Sequence, residues 1–249
     1  MDGHYTIFTE SPVRGIIVGM KYAPSMLFAV LLCGTTFANA EKTPLFNGRD
    51  LSGWTSVQDY DVTGGYAASE PTWFVTNGAI RTTGTPFGYL RTKRSDFGDY
   101  TLHVEYRWWR QTTRPNSGVF VRLSRETGSF VPTCLENQLC RGMMGDVLAL
   151  GGAVFEGFTP RSTYTPSDPL SGIIRSPKHN ADNEKPFGEW NVMEIELSGD
   201  TLVNRLNGVE QNRISGIAAL RGAIALQSEG GAIEFRNVWI QETTKTPND

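Results

Sequence analysis

Four short stretches place polar side chains at even spacing, which in an extended chain puts both members of a pair on one face. They are Glu105 with Arg107, Asn116 with Arg122, Glu136 with Gln138, and Gln227 with Glu229. A carboxyl group in such a set can take or give a proton. A guanidinium can polarise an oxygen through its planar fork of donors, and amides can anchor hydroxyls. Each residue also has an ordinary explanation. Arg107 and Arg122 sit among carboxylates, where a strand-to-strand ion pair is the commoner fate, with Glu105 the nearest partner. Glu136 and Gln138, in CLENQLC, could line a solvated strand face, and Ser228-Glu229-Gly230-Gly231 could be a turn. His103 and His179 are the only histidines after residue 40. His103 falls in a strand beside the carboxylate face, whereas His179, in the loop SPKHN, could be carried over a groove as a base. Trp109, Trp190 and Trp239 could offer flat faces to a ring-shaped ligand or simply pack.

The elements that must hold these residues are strands. From Tyr100 to Trp109, Leu102, Val104, Tyr106 and Trp108 alternate with Thr101, His103, Glu105, Arg107 and Trp109. Period two also runs through Asn116–Leu123, with Val119, Val121 and Leu123 expected on one face and Phe120 and Arg122 on the other. Met193, Ile195 and Leu197 alternate with Glu194 and Glu196, and Ile224 and Leu226 with Ala225 and Gln227. Asn77-Gly78 and Asn207-Gly208 fall between such runs and predict tight hairpins. No long amphipathic helical stripe is present, so the pattern predicts an all-β antiparallel sandwich. Residues 142–185, rich in Gly, Ser, Pro and Asn, break the regularity and predict a long loop walling one side of a groove, or a solvated excursion. A phosphate-cradling Gly-Lys loop, HExxH, GxSxG and a dinucleotide fingerprint are all missing, which disfavours hydride transfer and serine hydrolysis.

The amino-terminal 40 residues read as a leader. Lys21 begins a positive segment, Ala23–Cys33 is apolar, and Ala38-Asn39-Ala40 is a small-x-small cleavage site. The apolar run is about half the ~20 residues a spanning helix needs, so no membrane insertion is expected after leader removal. Translation is expected to start at Met20. Export to the periplasm or beyond the cell follows, with residues 41–249 as a single domain. Two charges of each sign leave with the leader, so the net charge stays at −3, and nothing in it attracts nucleic acid. Cys134 and Cys140, if joined by one extended strand, stand ~20 Å apart, too far for a disulfide. Either that strand is interrupted or both thiols are free, and free thiols are the expectation. Nothing follows them that suggests zinc.

Four blocks in order, PLFNGRDLSGW (44–54), NSGVFVR (116–122), GEWN (188–191) and LQSEGGAIEFRNVWI (226–240), resemble the 3-keto-disaccharide hydrolase domain family over nearly the whole chain after the leader. The resemblance implies a concanavalin A-like jelly-roll β-sandwich with a concave sheet, on which a Glu-x-Gln pair, here Glu136 and Gln138, lies in the substrate groove. It also implies a saccharide substrate with an oxidised C3, supplied by a sugar 3-dehydrogenase. A ketone at C3 acidifies the C2 hydrogen, so a modest base can trigger elimination of the C1 oxygen, and water can then add. On that basis Glu136 or His179 is cast as base, and Arg107 or Arg122 as carbonyl polariser. Gln138, Gln227, Glu229, Glu105, Asn116 and Trp109 are cast as substrate-binding. A divalent metal held near Glu136 and Asp146 would replace the arginine as electrophile. Two alternatives share the fold: a noncatalytic carbohydrate-binding module, and a conventional glycosidase with two essential carboxylates.

Overall fold

The computed structural model describes residues 41–59, 71–113, 115–156 and 172–243, which are strand, turn and loop without helix. The expected leader lies outside them. The strands, in order, are β1 (Lys42–Pro44), β2 (Trp54–Asp59), β3 (Trp73–Thr76), β4 (Ala79–Thr82), β5 (Phe87–Thr92), β6 (Tyr100–Trp108), β7 (Gly118–Arg125), β8 (Thr133–Gln138), β9 (Val147–Leu150), β10 (Ile174–Ser176), β11 (Asn191–Ser198), β12 (Thr201–Leu206), β13 (Val209–Ile214), β14 (Ala223–Ser228) and β15 (Ile233–Glu242). They form two antiparallel sheets. One runs β13-β12-β11-β6-β15-β4-β3 with β1 beside β15, and the other runs β10-β9-β8-β7-β14-β5-β2.

The main core lies between the sheets. β6 contributes Leu102, Val104, Tyr106 and Trp108, and β11 contributes Met193, Ile195 and Leu197. From the seven-stranded sheet they meet Val119, Val121, Leu135, Val147, Ile224 and Leu226. Burial along β6 and β11 alternates as the sequence predicts. At ~1.5–3 kcal/mol for each large apolar side chain fully buried, this layer is the principal stabilising term. Asn77-Gly78 and Asn207-Gly208 both have positive φ, which fits tight turns that follow the sheet twist.

A second apolar cluster lies on the other face of the seven-stranded sheet, where Tyr89, Phe120, Leu123, Phe130, Val131, Cys134 and Leu150 pack together. Leu123 therefore sits with Phe120, not with Val119 and Val121. The cause is a bulge: Ala223 pairs with Leu123 but Ala225 pairs with Phe120, and Arg122 takes the left-handed conformation with φ 53. One extra residue in β7 inverts the alternation beyond it.

The stretch 142–185 is also not one long loop. β9 pairs with β8 and β10 with β9, extending the sheet edge. Val147-Leu148-Ala149-Leu150 is apolar on both faces, so it lacks the alternation that marks a half-buried strand. Residues 157–171 of that stretch lie outside the described residues. Cys134 and Cys140 form no disulfide, Cys134 being buried within β8 and Cys140 lying just past its end.

Candidate functional site

Strand register brings the polar residues of three strands together on the outer face of the seven-stranded sheet. Glu136 pairs with Phe120 on one side and Leu148 on the other, and Gln138 pairs with Gly118. Continuing the β7–β14 register from Ala225 and Phe120 sets Gly118 opposite Gln227, which in turn pairs with Tyr89 of β5. Gly118 is the opening in this surface. A methyl group built on it would lie 2.5 Å from Glu136 Oε1, 2.9 Å from Glu136 Cγ and 3.0 Å from Gln227 Oε1. Because position 118 has no side chain, Glu136 and Gln227 reach across neighbouring strands into one space. Gln227 also hydrogen-bonds to the Glu229 carboxylate, and Asn116 Nδ2 donates to Glu229 Oε2 at 2.7 Å.

Polar atoms here are buried without partners. Glu136 Oε1, Gln227 Oε1, Asn116 Oδ1 and the Tyr89 hydroxyl all lack a hydrogen bond. Such groups are rare in native interiors and call for an explanation such as a ligand or a proton. Burial, reinforced by the Glu229 charge, holds the Glu136 carboxyl well above the usual carboxylate range. Burial also pushes Glu229 up to about 7, against the hydrogen bond from Gln227. Two acceptor oxygens, Glu136 Oε1 and Gln227 Oε1, face the same space. A proton on Glu136 supplies the donor that space lacks, consistent with its raised pKa. Nearby, burial and the Glu136 charge raise the Cys134 thiol well above its ordinary value, so it is an unreactive neighbour. Gln138 Oε1 accepts from the Cys140 backbone at 2.8 Å, which ties its amide down.

The sequence profile of the 3-keto-alpha-glucoside-1,2-lyase-like domain matches residues 41–241. The chain belongs to that family. Membership makes it a carbohydrate-active protein of the lyase-like family, and its fold is the concanavalin A-like jelly roll. Among solved structures it is similar to a protein described as a glycosyl hydrolase from Parabacteroides distasonis, at 17% identity and TM-score 0.54, covering 82% of this chain and 94% of that one. It is similar to the kappa-carrageenase of Pseudoalteromonas carrageenovora at 10% identity and TM-score 0.52, covering 88% of this chain and 100% of that one. The CBM66 carbohydrate-binding module of Bacillus subtilis matches at 12% identity and TM-score 0.51, covering 75% and 93%. At these identities the likeness is one of fold. No curated protein matches the chain.

Several other candidates lie elsewhere in this lyase-like domain. Glu105, Arg107 and Trp109 belong to the outer face of the eight-stranded sheet, across the core from Glu136. Arg107 and Arg81 both bind the buried carboxylate of Glu234. Glu105 accepts from Arg236 at 2.6 Å and Asn237 at 2.7 Å. The tryptophans are on that face too: Arg81 and Arg110 cover Trp109, Arg107 and Arg236 cover Trp190, and His103 stacks on Trp239 at 4.6 Å. Arg107 and Glu105 are both held in ion pairs, but not with each other as expected: Arg107 meets Glu234 and Glu105 meets Arg236, and β6 lies in the opposite sheet from β7 and β8. Arg122 has its guanidinium 1% exposed and paired with Asp99, turned away from Glu136 by the bulge. His179 donates its backbone N–H to Gln211 O and lies near Glu210, beside β13.

Asp146 sits beside Gln138, but its oxygens are taken. Arg175 Nε donates to Oδ2 at 2.6 Å and the Lys178 backbone to Oδ1 at 2.8 Å. Among the described residues no group of three or more His, Cys, Asp or Glu could hold a metal ion. With both Asp146 oxygens held by Arg175 and Lys178, the Glu136 and Asp146 pair does not fit a cation. Sequence reasoning missed Gly118, Tyr89 and Glu184. Tyr89 carries a signal, an alternating strand position with a polar tip. Glu184 is 8% exposed, accepts from Trp108 Nε1 at 2.7 Å, and is raised by burial against that bond, yet nothing in ADNEKPFGEWN marks it.

Proposed function

We propose that this protein cleaves glycosidic bonds of 3-keto-glycosides by elimination across C1 and C2, followed by hydration. The observation that carries the proposal is the buried Glu136 carboxyl over Gly118, its Oε1 unpartnered and facing the same space as Gln227, which hydrogen-bonds to Glu229. Glu136, whose carboxyl is biased by burial toward its protonated form, donates a hydrogen bond to the C3 carbonyl oxygen. A carboxylic acid kept neutral by burial is suited to stabilise charge that develops on such an oxygen. Glu229, poised at about 7, takes the C2 proton. The C1–O bond breaks as C1=C2 forms, and the departing oxygen leaves as the alcohol by taking the proton that Glu229 collected from C2, which resets the base. Water then adds across the enone, giving the free 3-keto sugar. Gln227 and Asn116 fix the base, while Tyr89 and Gln138 lie in the same row to meet sugar hydroxyls.

This casting moves the base from Glu136 to Glu229 and the carbonyl partner from arginine to Glu136. Export, and a sugar 3-dehydrogenase as the supplier of substrate, belong to the same proposal. The test is incubation of residues 41–249 with matched 3-keto and unoxidised disaccharides, following release of the second sugar. Release from the 3-keto substrates alone, lost in Glu136→Gln, is expected. Equal release from unoxidised substrates would replace the proposal with a conventional glycosidase, and saturable binding without release would replace it with a binding module.

A further inference from the structure

Arg122 lies four residues along β7 from Gly118, ~13 Å away at ~3.3 Å per residue. Its backbone is left-handed, a conformation that non-glycine residues hold only where the surroundings enforce it. The bulge aims the guanidinium toward the end of the sandwich. There Nη2 donates to Asp99 Oδ1 and to Gly199 O, each at 3.2 Å. That uses one of its three nitrogens. Nε and Nη1 are buried and have no partner, and neither has the buried Tyr100 hydroxyl, which is close enough to feel the Arg122 charge.

Beside this buried guanidinium lies a cleft. Arg122 lines about 250 Å³ of space together with Leu135, Ala153, Val154, Ile217 and Ala219. A single water takes up ~30 Å³, so the cleft has room for a small molecule. Its walls, apart from Arg122, are largely apolar, and Val154, 47% exposed, is one of only three strongly exposed large hydrophobic residues among the described residues. Water alone would leave the walls wet, and an apolar filler would leave the arginine unmatched. A ligand with an anionic head and a short apolar body answers both.

We infer that this cleft is a second ligand site, separate from the Glu136 face, which takes a small organic carboxylate with its head at Arg122 and its tail against Val154, Ile217 and Ala219. Carboxylates suit a guanidinium better than point-like anions do, because planar donors meet planar acceptors. The inference does not depend on the chemistry proposed at Glu136.

The test is calorimetric titration of the whole chain with butanoate, and with butanamide as the neutral isostere. Butanoate should bind saturably and at least about tenfold more tightly than butanamide. Arg122→Met should weaken butanoate by at least about tenfold, whereas Arg107→Met, which removes the same charge from the opposite sheet, should leave binding unchanged. If Arg122→Met fails to fold, Val154→Glu carries the test. It puts a carboxylate at an exposed position of the cleft and should weaken butanoate without touching the buried arginine. Absence of saturable butanoate binding, equal affinity for the amide, or undiminished binding in both variants would overturn the inference.

Discussion

Gly118→Ala asks the most of the proposed site, because it adds one methyl group and changes no polar atom. Gly118 is not among the residues of positive φ, so the backbone accepts alanine without strain. The new carbon would stand 2.5 Å from Glu136 Oε1, where ordinary contact begins at 3.4 Å, and 3.0 Å from Gln227 Oε1. The nearest atoms are all side chain, so the carboxyl must retreat by roughly 1 Å while the strands stay in place. Overpacking costs about 1–3 kcal/mol, partly offset by about 0.5–1 kcal/mol from replacing a strand glycine. At about 2–4 °C per kcal/mol for a domain of this size, melting should fall by no more than ~10 °C. A displacement of ~1 Å at reacting groups can cost about a hundredfold in rate. The assay is kcat/KM on a 3-keto disaccharide beside a thermal melt. The expected result is a fall of about a hundredfold in a protein that still melts well above the assay temperature. Wild-type turnover in a folded Gly118→Ala would refute the argument, since Glu136 cannot keep its place with the methyl present.

Three carboxyl groups, Glu136, Glu229 and Glu234, can be perturbed in turn. Glu136→Gln keeps shape but replaces the acid O–H with a weaker amide donor, and kcat should fall by about 10²–10³-fold with little change in melting. For Glu229 the folded pKa is raised from 4.5 to about 7, so the folded state holds a proton that the unfolded state releases first. Its contribution to stability is full below about pH 4.5 and is lost as pH rises through about 7, by roughly 2–3 kcal/mol after allowing for partial exposure. Glu229→Gln should therefore melt higher than wild type at pH 8 and alike near pH 4, measured by calorimetry. The wild-type rate should climb through about pH 7 as Glu229 ionises, and a rate independent of pH there would remove Glu229 as base. Glu234→Ala removes the buried carboxylate shared by the partly exposed Arg81 and Arg107 and should cost about 1.5–3 kcal/mol in urea unfolding. Turnover should survive it, and a selective loss of kcat in stable Arg107 variants would return that arginine to the chemistry.

The fold was legible where one face of a strand is buried and the other is wet. β6 and β11 show this, because the solvent face must carry His103, Glu105 and Glu194 while the core face cannot. The same logic failed at β9, apolar on both faces, and at Arg122, where one extra residue inverts a pattern that reads as regular in Gly118–Arg125. Which sheet a strand joins is a non-local matter, and here it decides function. β6 and β7 are consecutive, carry similar polar residues, and end on opposite layers. Arg107 and Trp109 were thereby separated from Glu136, while Gln227, far away in sequence, was brought next to it.

The same point explains why a glycine escaped notice at the centre of the site. In a strand taken by itself Gly118 only weakens pairing, since it has no side chain to pack. Its value appears when three strands are side by side. Glu136 from β8 and Gln227 from β14 are separated by the width of β7, and any side chain larger than hydrogen at position 118 would keep them apart. The site is thus made by subtraction, and its acid by enclosure. Neither Glu136 nor Glu229 faces a described cation that would favour its charge, and both are raised chiefly by burial. Had Arg107 or Arg122 reached this face, as the residue types alone suggested, either would have lowered the Glu136 pKa and removed the proton that the carbonyl needs. Keeping both arginines on other surfaces is therefore part of how the sheet order makes a neutral acid from Glu136.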